Sequence, residues 1–86
     1  MTYKRELRII NEAGEANYTY YVIAHYSEEF GCEMYNVGIK SKGTKKEIED
    51  FSPDINEAKE LCDYLYNENV SANNLFSVAE EFIVTL

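Results

Sequence analysis

Asn17-Tyr18-Thr19-Tyr20-Tyr21-Val22-Ile23-Ala24-His25-Tyr26 decides how the rest of the chain is read. Aromatic and β-branched residues at this density suit a half-buried pleated strand. Successive side chains of a strand point to opposite faces, so Tyr18, Tyr20, Val22, Ala24 and Tyr26 share one face. Tyr21, Ile23 and the only histidine, His25, share the other. A strand that is apolar on both faces needs cover on both.

The flanking segments alternate in the same way. Upstream, residues 3–11 set Leu7 and Ile9 against Lys4, Glu6 and Arg8, and a turn with Gly14 follows. Downstream, residues 27–32 turn the chain into a third strand over 33–42. There Tyr35, Val37 and Ile39 oppose Met34, Asn36, Gly38 and Lys40. Lys42-Gly43-Thr44 then leads into a short fourth strand, 45–51, carrying Ile48 and Phe51. Short connections between consecutive strands predict an antiparallel meander.

From Ser52 the period changes from two to about 3.6. Ser52-Pro53-Asp54 offers an N-cap hydroxyl, a proline at N1 and a carboxylate at N2. These types suit the unpaired amides and positive dipole end of a helix start. Ile55, Ala58, Leu61, Cys62 and Leu65 recur at helical spacing to about Asn67, and Asn69 is a left-handed stop. A second helix is expected from an N-cap at Ser71, with Val70 and Leu75 as a hydrophobic staple. Its stripe is Leu75, Val78, Ala79, Phe82 and Ile83.

The expected fold is therefore α+β: a four-stranded antiparallel β-meander followed by a two-helix hairpin packed on one face of the sheet (ββββαα), one domain over residues 1–86. By apolar count the helices cover Tyr18, Tyr20, Val22, Ala24 and Tyr26, with Leu7, Ile9, Tyr35, Val37, Ile39 and Ile48. The opposite face holds Tyr21, Ile23, His25 and Met34 in its middle. Lys4, Arg8, Asn36, Lys40, Glu47 and Glu49 lie at its margins. Gly38 leaves room there for a ring such as Tyr21.

From Tyr35 onward the chain resembles a family of small proteins of unknown function from clostridia and related Firmicutes. The resemblance rests on Val37-Gly38-Ile39 and the charged hairpin after it, then the Phe51-Ser52 helix entry. It continues through the spacing Ala58, Leu61, Leu65 and ends in Leu75-Phe76-Ser77-Val78-Ala79-Glu80-Glu81-Phe82. It covers residues 35–86; at Val37 the family tends to carry tyrosine. It implies a bacterial, cytoplasmic α+β protein and brings no activity with it.

Composition narrows the function classes. The 86 residues are 45% hydrophobic and 14% aromatic, with eight tyrosines, which suits a folded chain. Sixteen acidic against eight basic residues give a formal net charge of −8. Phosphate neutralisation needs dense Lys and Arg, so nucleic-acid binding is not expected. The cluster Lys42, Lys45, Lys46 reads as a solvated hairpin tip. Neither a membrane-length apolar run nor a secretory h-region is visible. Cys32 and Cys62 lack a C-x-x-C spacing and suit a reducing cytoplasm, and neither a metal nor a cofactor is expected.

One pair could do nucleophilic chemistry. His25 near a strand end and Cys32 across the following turn could meet in a hairpin, giving a small enzyme or ligand binder. Glu28, Glu29 and Glu33 crowd that turn and oppose a thiolate. The carboxylates Asp54, Glu57, Glu60, Asp63, Glu80 and Glu81 are spread along helix faces as a solvated surface, or a docking face for a basic protein or a mimic of nucleic acid. The preferred expectation is a non-enzymatic interaction or regulatory module, self-associating as a homodimer through Tyr21, Ile23, His25 and Met34. On that reading Tyr21→Glu or Ile23→Asp yields a folded monomer.

Overall fold

The computed structural model describes residues 4–11 and 18–84, with the side chains of residues 18–82. Strand β1 is Lys4–Asn11, β2 is Thr19–Ser27, β3 is Cys32–Ser41 and β4 is Thr44–Ser52. Helix α1 spans Ile55–Asn67, a single 3-10 turn covers Ala72–Asn74, and α2 spans Leu75–Val84. Neighbouring strands pair antiparallel in chain order.

The expectation of a four-stranded sheet beneath the helices is corrected. The sheet that carries the helices has three strands, β2-β3-β4, followed by two helices in an α+β fold. Helix α1 packs on β2, β3 and β4, while the 3-10 turn and α2 meet the β3–β4 side. The offset follows from the connection: only Pro53 and Asp54 separate the end of β4 from α1, which tethers the helical layer to that side. Residues 4–11 pair along the other edge of β2, with a register shift between Glu6 and Arg8. The side chains of Leu7 and Ile9, expected in the core, lie outside those described.

The face assignment of the tyrosine strand holds for most of its length. Tyr20, Val22, Ala24, Tyr35, Val37 and Ile39 join Ala58, Leu61, Cys62, Leu65, Val70, Leu75 and Ala79 in one buried cluster. Tyr18 and Ile48 pack against it partly buried. Tyr26, at the turn end of β2, is instead 37% exposed and falls outside the cluster. Burying about ten apolar side chains at roughly 1.5–3 kcal/mol each is the main favourable term against chain entropy. The Tyr20 hydroxyl donates to the Val70 carbonyl oxygen at 2.8 Å, tying the sheet to the interhelical connection. The Tyr20 ring meets Tyr18 and Tyr66 edge-on, each at 6.0 Å between centroids.

The start of α1 differs from expectation by two residues. Asp54, not Ser52, is the N-cap, its carboxylate accepting the Asn56 amide at 2.8 Å. Ser52 still belongs to β4, and its hydroxyl accepts the Asp54 amide at 2.9 Å. Two good capping residues stand in series, and the reach of the strand decides between them. Asp54→Ala should cost about 1 kcal/mol in chemical denaturation, while Pro53→Ala, outside the helix, should cost less. At the other end Asn69 takes the expected left-handed conformation, φ 51°. Ser71 precedes the 3-10 turn rather than α2 and makes no side-chain cap bond.

Candidate functional site: the helix-free face of the sheet

On the face away from the helices, strand pairing brings Tyr21 opposite Gly38, Ile23 opposite Asn36, and His25 opposite Met34. A Cβ at Gly38 would overlap the Tyr21 ring, so the glycine is the ring's seat, as the sequence suggests. The hydroxyl of Tyr21 donates to Glu47 Oε1 at 2.8 Å. The ammonium groups of Lys40 and Lys45 each lie 5.9 Å from the centre of the ring. Tyr21 is thereby only 2% exposed, and Met34, paired with His25, is 4% exposed. The open apolar patch expected here is replaced by aromatic and thioether groups already covered within the chain.

A second chain of polar contacts runs beside the ring. Asn36, expected at the margin, is 1% exposed. Its amide nitrogen donates to Glu47 Oε2 at 2.8 Å, and its Oδ1 accepts the Asp50 backbone amide at 2.9 Å. The reason lies in the backbone of β4. Tyr35 pairs with Ser52 and Val37 with Ile48, so two steps along β3 match four along β4. The surplus forms a bulge, which frees backbone amides from the ladder. Asn36 is the side chain opposite that bulge. Asp50 within it has φ 51°, a left-handed conformation that non-glycine residues adopt at a cost of about 1 kcal/mol or more.

The bulge also turns the Asp50 carboxylate onto His25. Nε2 of His25 and Oδ1 of Asp50 are 2.6 Å apart, the separation of an ion pair. Neither of these buried atoms has a hydrogen-bond partner among the described residues. The imidazole is thus engaged by β4. Cys32 is exposed, and its sulfur lies 3.9 Å from that of Met34. The two residues share a face without the thiol taking the place that Asp50 holds.

Ile23 is the half-buried apolar residue left on this face. Together with Lys45, Glu47 and Glu49 it lines an open depression of about 320 Å³. Lys45 Nζ stands 4.0 Å from Glu47 Oε1, two residues along the same strand. Sequence reasoning placed Tyr21, Ile23, His25 and Met34 on one face but missed Asn36, Glu47 and Asp50 as the groups that organise it. The one visible signal was an amide side chain between Tyr35 and Val37, in a run whose other members are buried. Among the described residues no group of three His, Cys, Asp or Glu side chains could hold a metal ion. No described helix is long and apolar enough to cross a membrane.

The described residues thus form a small α+β domain whose helix-free face is organised by Asn36, Glu47 and Asp50. The chain belongs to the family of unknown function DUF6514, which it matches over residues 2–85. No curated protein and no solved structure matches it.

Proposed function

We propose that this protein is a small, non-enzymatic interaction module that pairs with a second copy of itself through the helix-free face. The observation that carries the reading is the depression around Ile23, whose rim holds both signs of charge, Lys45 with Glu47 and Glu49. A two-fold interface brings the same patch to itself, so it needs donors and acceptors of charge side by side. An apolar floor inside such a rim has the anatomy of an interface core. Pairing by strand addition at the β4 edge is disfavoured by Lys45, Lys46, Glu47 and Glu49 and by the bulge, devices that keep edges apart.

The burial of Tyr21 changes which variant tests this. Tyr21→Glu would break the monomer's own packing, whereas Ile23 is only half-buried. Sedimentation at on the order of tens of micromolar should find a dimer, and Ile23→Asp should give a monomer with unchanged circular dichroism. A wild type that stays monomeric at that concentration overturns the reading. A bacterial, clostridial and cytoplasmic setting belongs to the same proposal. It is supported by the resemblance carried by Val37-Gly38-Ile39 and the second helix, and by the free thiol of the exposed Cys32.

A further inference from the structure

On the other side of the molecule a groove of about 400 Å³ runs between the end of α1 and the first turns of α2. Tyr64 and Val78 give it apolar surface, Glu68 and Glu81 give it carboxylates, and Asn74 and Ser77 add neutral polar groups. No lysine or arginine stands among the described lining residues.

Three features of this groove call for a cation. Helix α1 ends in it: Glu68 is the C-cap, and Asn69, with φ 51°, turns the chain back. The C-terminal end of a helix carries partial negative charge that basic side chains normally offset, yet α1 has none in its last turn. Glu68 and Glu81 add full charges to that end, in a chain of net charge −8. Tyr64 is 41% exposed, its ring backed by Phe82 at 5.9 Å and 45°, so an aromatic surface lies beside the carboxylates. Carboxylates next to a tyrosine ring suit a planar guanidinium, which stacks on the ring while its fork of N–H groups reaches the acids.

We propose that this groove docks an arginine side chain presented by a basic segment of a partner protein. The guanidinium lies against Tyr64 and donates to Glu68 and Glu81, with Val78 under the aliphatic stem. A polyphosphate chain is repelled by the same carboxylates. A bare divalent ion lacks the three clustered ligands it needs here. The site lies across the sheet from Ile23 and stands without the self-association reading.

The test is an NMR titration of the full chain with an acetylated tetra-arginine peptide, and with tetra-lysine and tetra-glutamate peptides for comparison. Saturable shifts are expected at the amides of Tyr64, Glu68 and residues 77–81, with tetra-arginine favoured over tetra-lysine and no response to tetra-glutamate. The double variant Glu68→Gln/Glu81→Gln should weaken arginine binding about tenfold, whereas Glu28→Gln/Glu29→Gln, with the same change of charge in the exposed β2–β3 turn, should alter it less than about twofold. Tyr64→Ala should abolish the preference for arginine over lysine. Equal weakening by both double variants, or shifts that map away from the groove, would overturn the proposal. So would equal binding of the two basic peptides by the wild type. Running Ile23→Asp in parallel separates the two readings, because loss of self-association should leave peptide binding intact.

Discussion

Asn36→Ala should destabilise the fold by about 2–4 kcal/mol, read as a lower urea midpoint with an unchanged slope. The side chain is 1% exposed and satisfies two groups at once, the Asp50 amide and the Glu47 carboxylate. Truncation leaves a bulge amide without its acceptor, and a buried unpaired donor costs more than an ordinary hydrogen bond contributes. It also removes what holds Asp50 in its left-handed conformation, so the pairing of Asp50 with His25 should loosen with it. For a domain whose total stability is about 5–15 kcal/mol the loss is a large share, and roughly 10–20 °C in melting temperature. Asn36→Asp separates the two bonds. Its carboxylate can still accept from the Asp50 amide but faces Glu47 with like charge. The cost of this variant should shrink on acidification, because one proton between the two acids restores a hydrogen bond. A surface-like loss under 0.5 kcal/mol for Asn36→Ala would mean that the bulge does not depend on the amide.

Much of the fold is legible in the sequence because it rests on local period. Alternation in residues 18–26 placed Tyr20, Val22 and Ala24 against the helices. The stripes Ala58, Leu61, Leu65 and Leu75, Ala79 named the helix surfaces that meet them. Left-handed Asn69 was legible because helix stops select glycine or asparagine. What escaped depends on one strand counting differently from its neighbour. Extra residues in β4 break the alternation, so Asp50 cannot be assigned to a face from spacing alone. Glu47 reads as a residue at the margin of the helix-free face until pairing shows it receiving both Tyr21 and Asn36. The need for outside cover on the second face was inferred from a count of apolar residues. The chain meets most of that need itself, through Glu47 and the two lysines over Tyr21. The width of the helix-covered sheet was not legible either, because two amphipathic helices do not reveal which strands they straddle.

Gly38→Ala is the complementary test, since it challenges the same face by adding an atom rather than removing one. Glycine is replaced by alanine in a strand at a gain of about 0.5–1 kcal/mol when space allows, because the unfolded chain loses freedom. Gly38 is not among the residues with positive φ, unlike Gly31 and Gly43, so its backbone accepts a side chain. Space is what forbids it: the new methyl would occupy the position of the Tyr21 ring near its hydroxyl end. The ring cannot yield cheaply, being 2% exposed, bonded to Glu47 and flanked by Lys40 and Lys45. Expelling it forfeits the buried ring and leaves Glu47 with Asn36 and the more distant Lys45 ammonium, for a net cost of about 2–3 kcal/mol. Gly38→Val should cost more. The double-mutant cycle makes the argument sharp. In a Tyr21→Ala background the obstacle is gone, and Gly38→Ala should then be neutral or stabilising by up to about 1 kcal/mol. A reversal of sign between the two backgrounds, measured by chemical denaturation, is specific to the ring in its seat. The same cost in both backgrounds would place the strain in the backbone of β3 instead. Ile23→Asp, on the neighbouring position of β2, should leave the cycle unchanged, because the seat of Tyr21 is built within one chain.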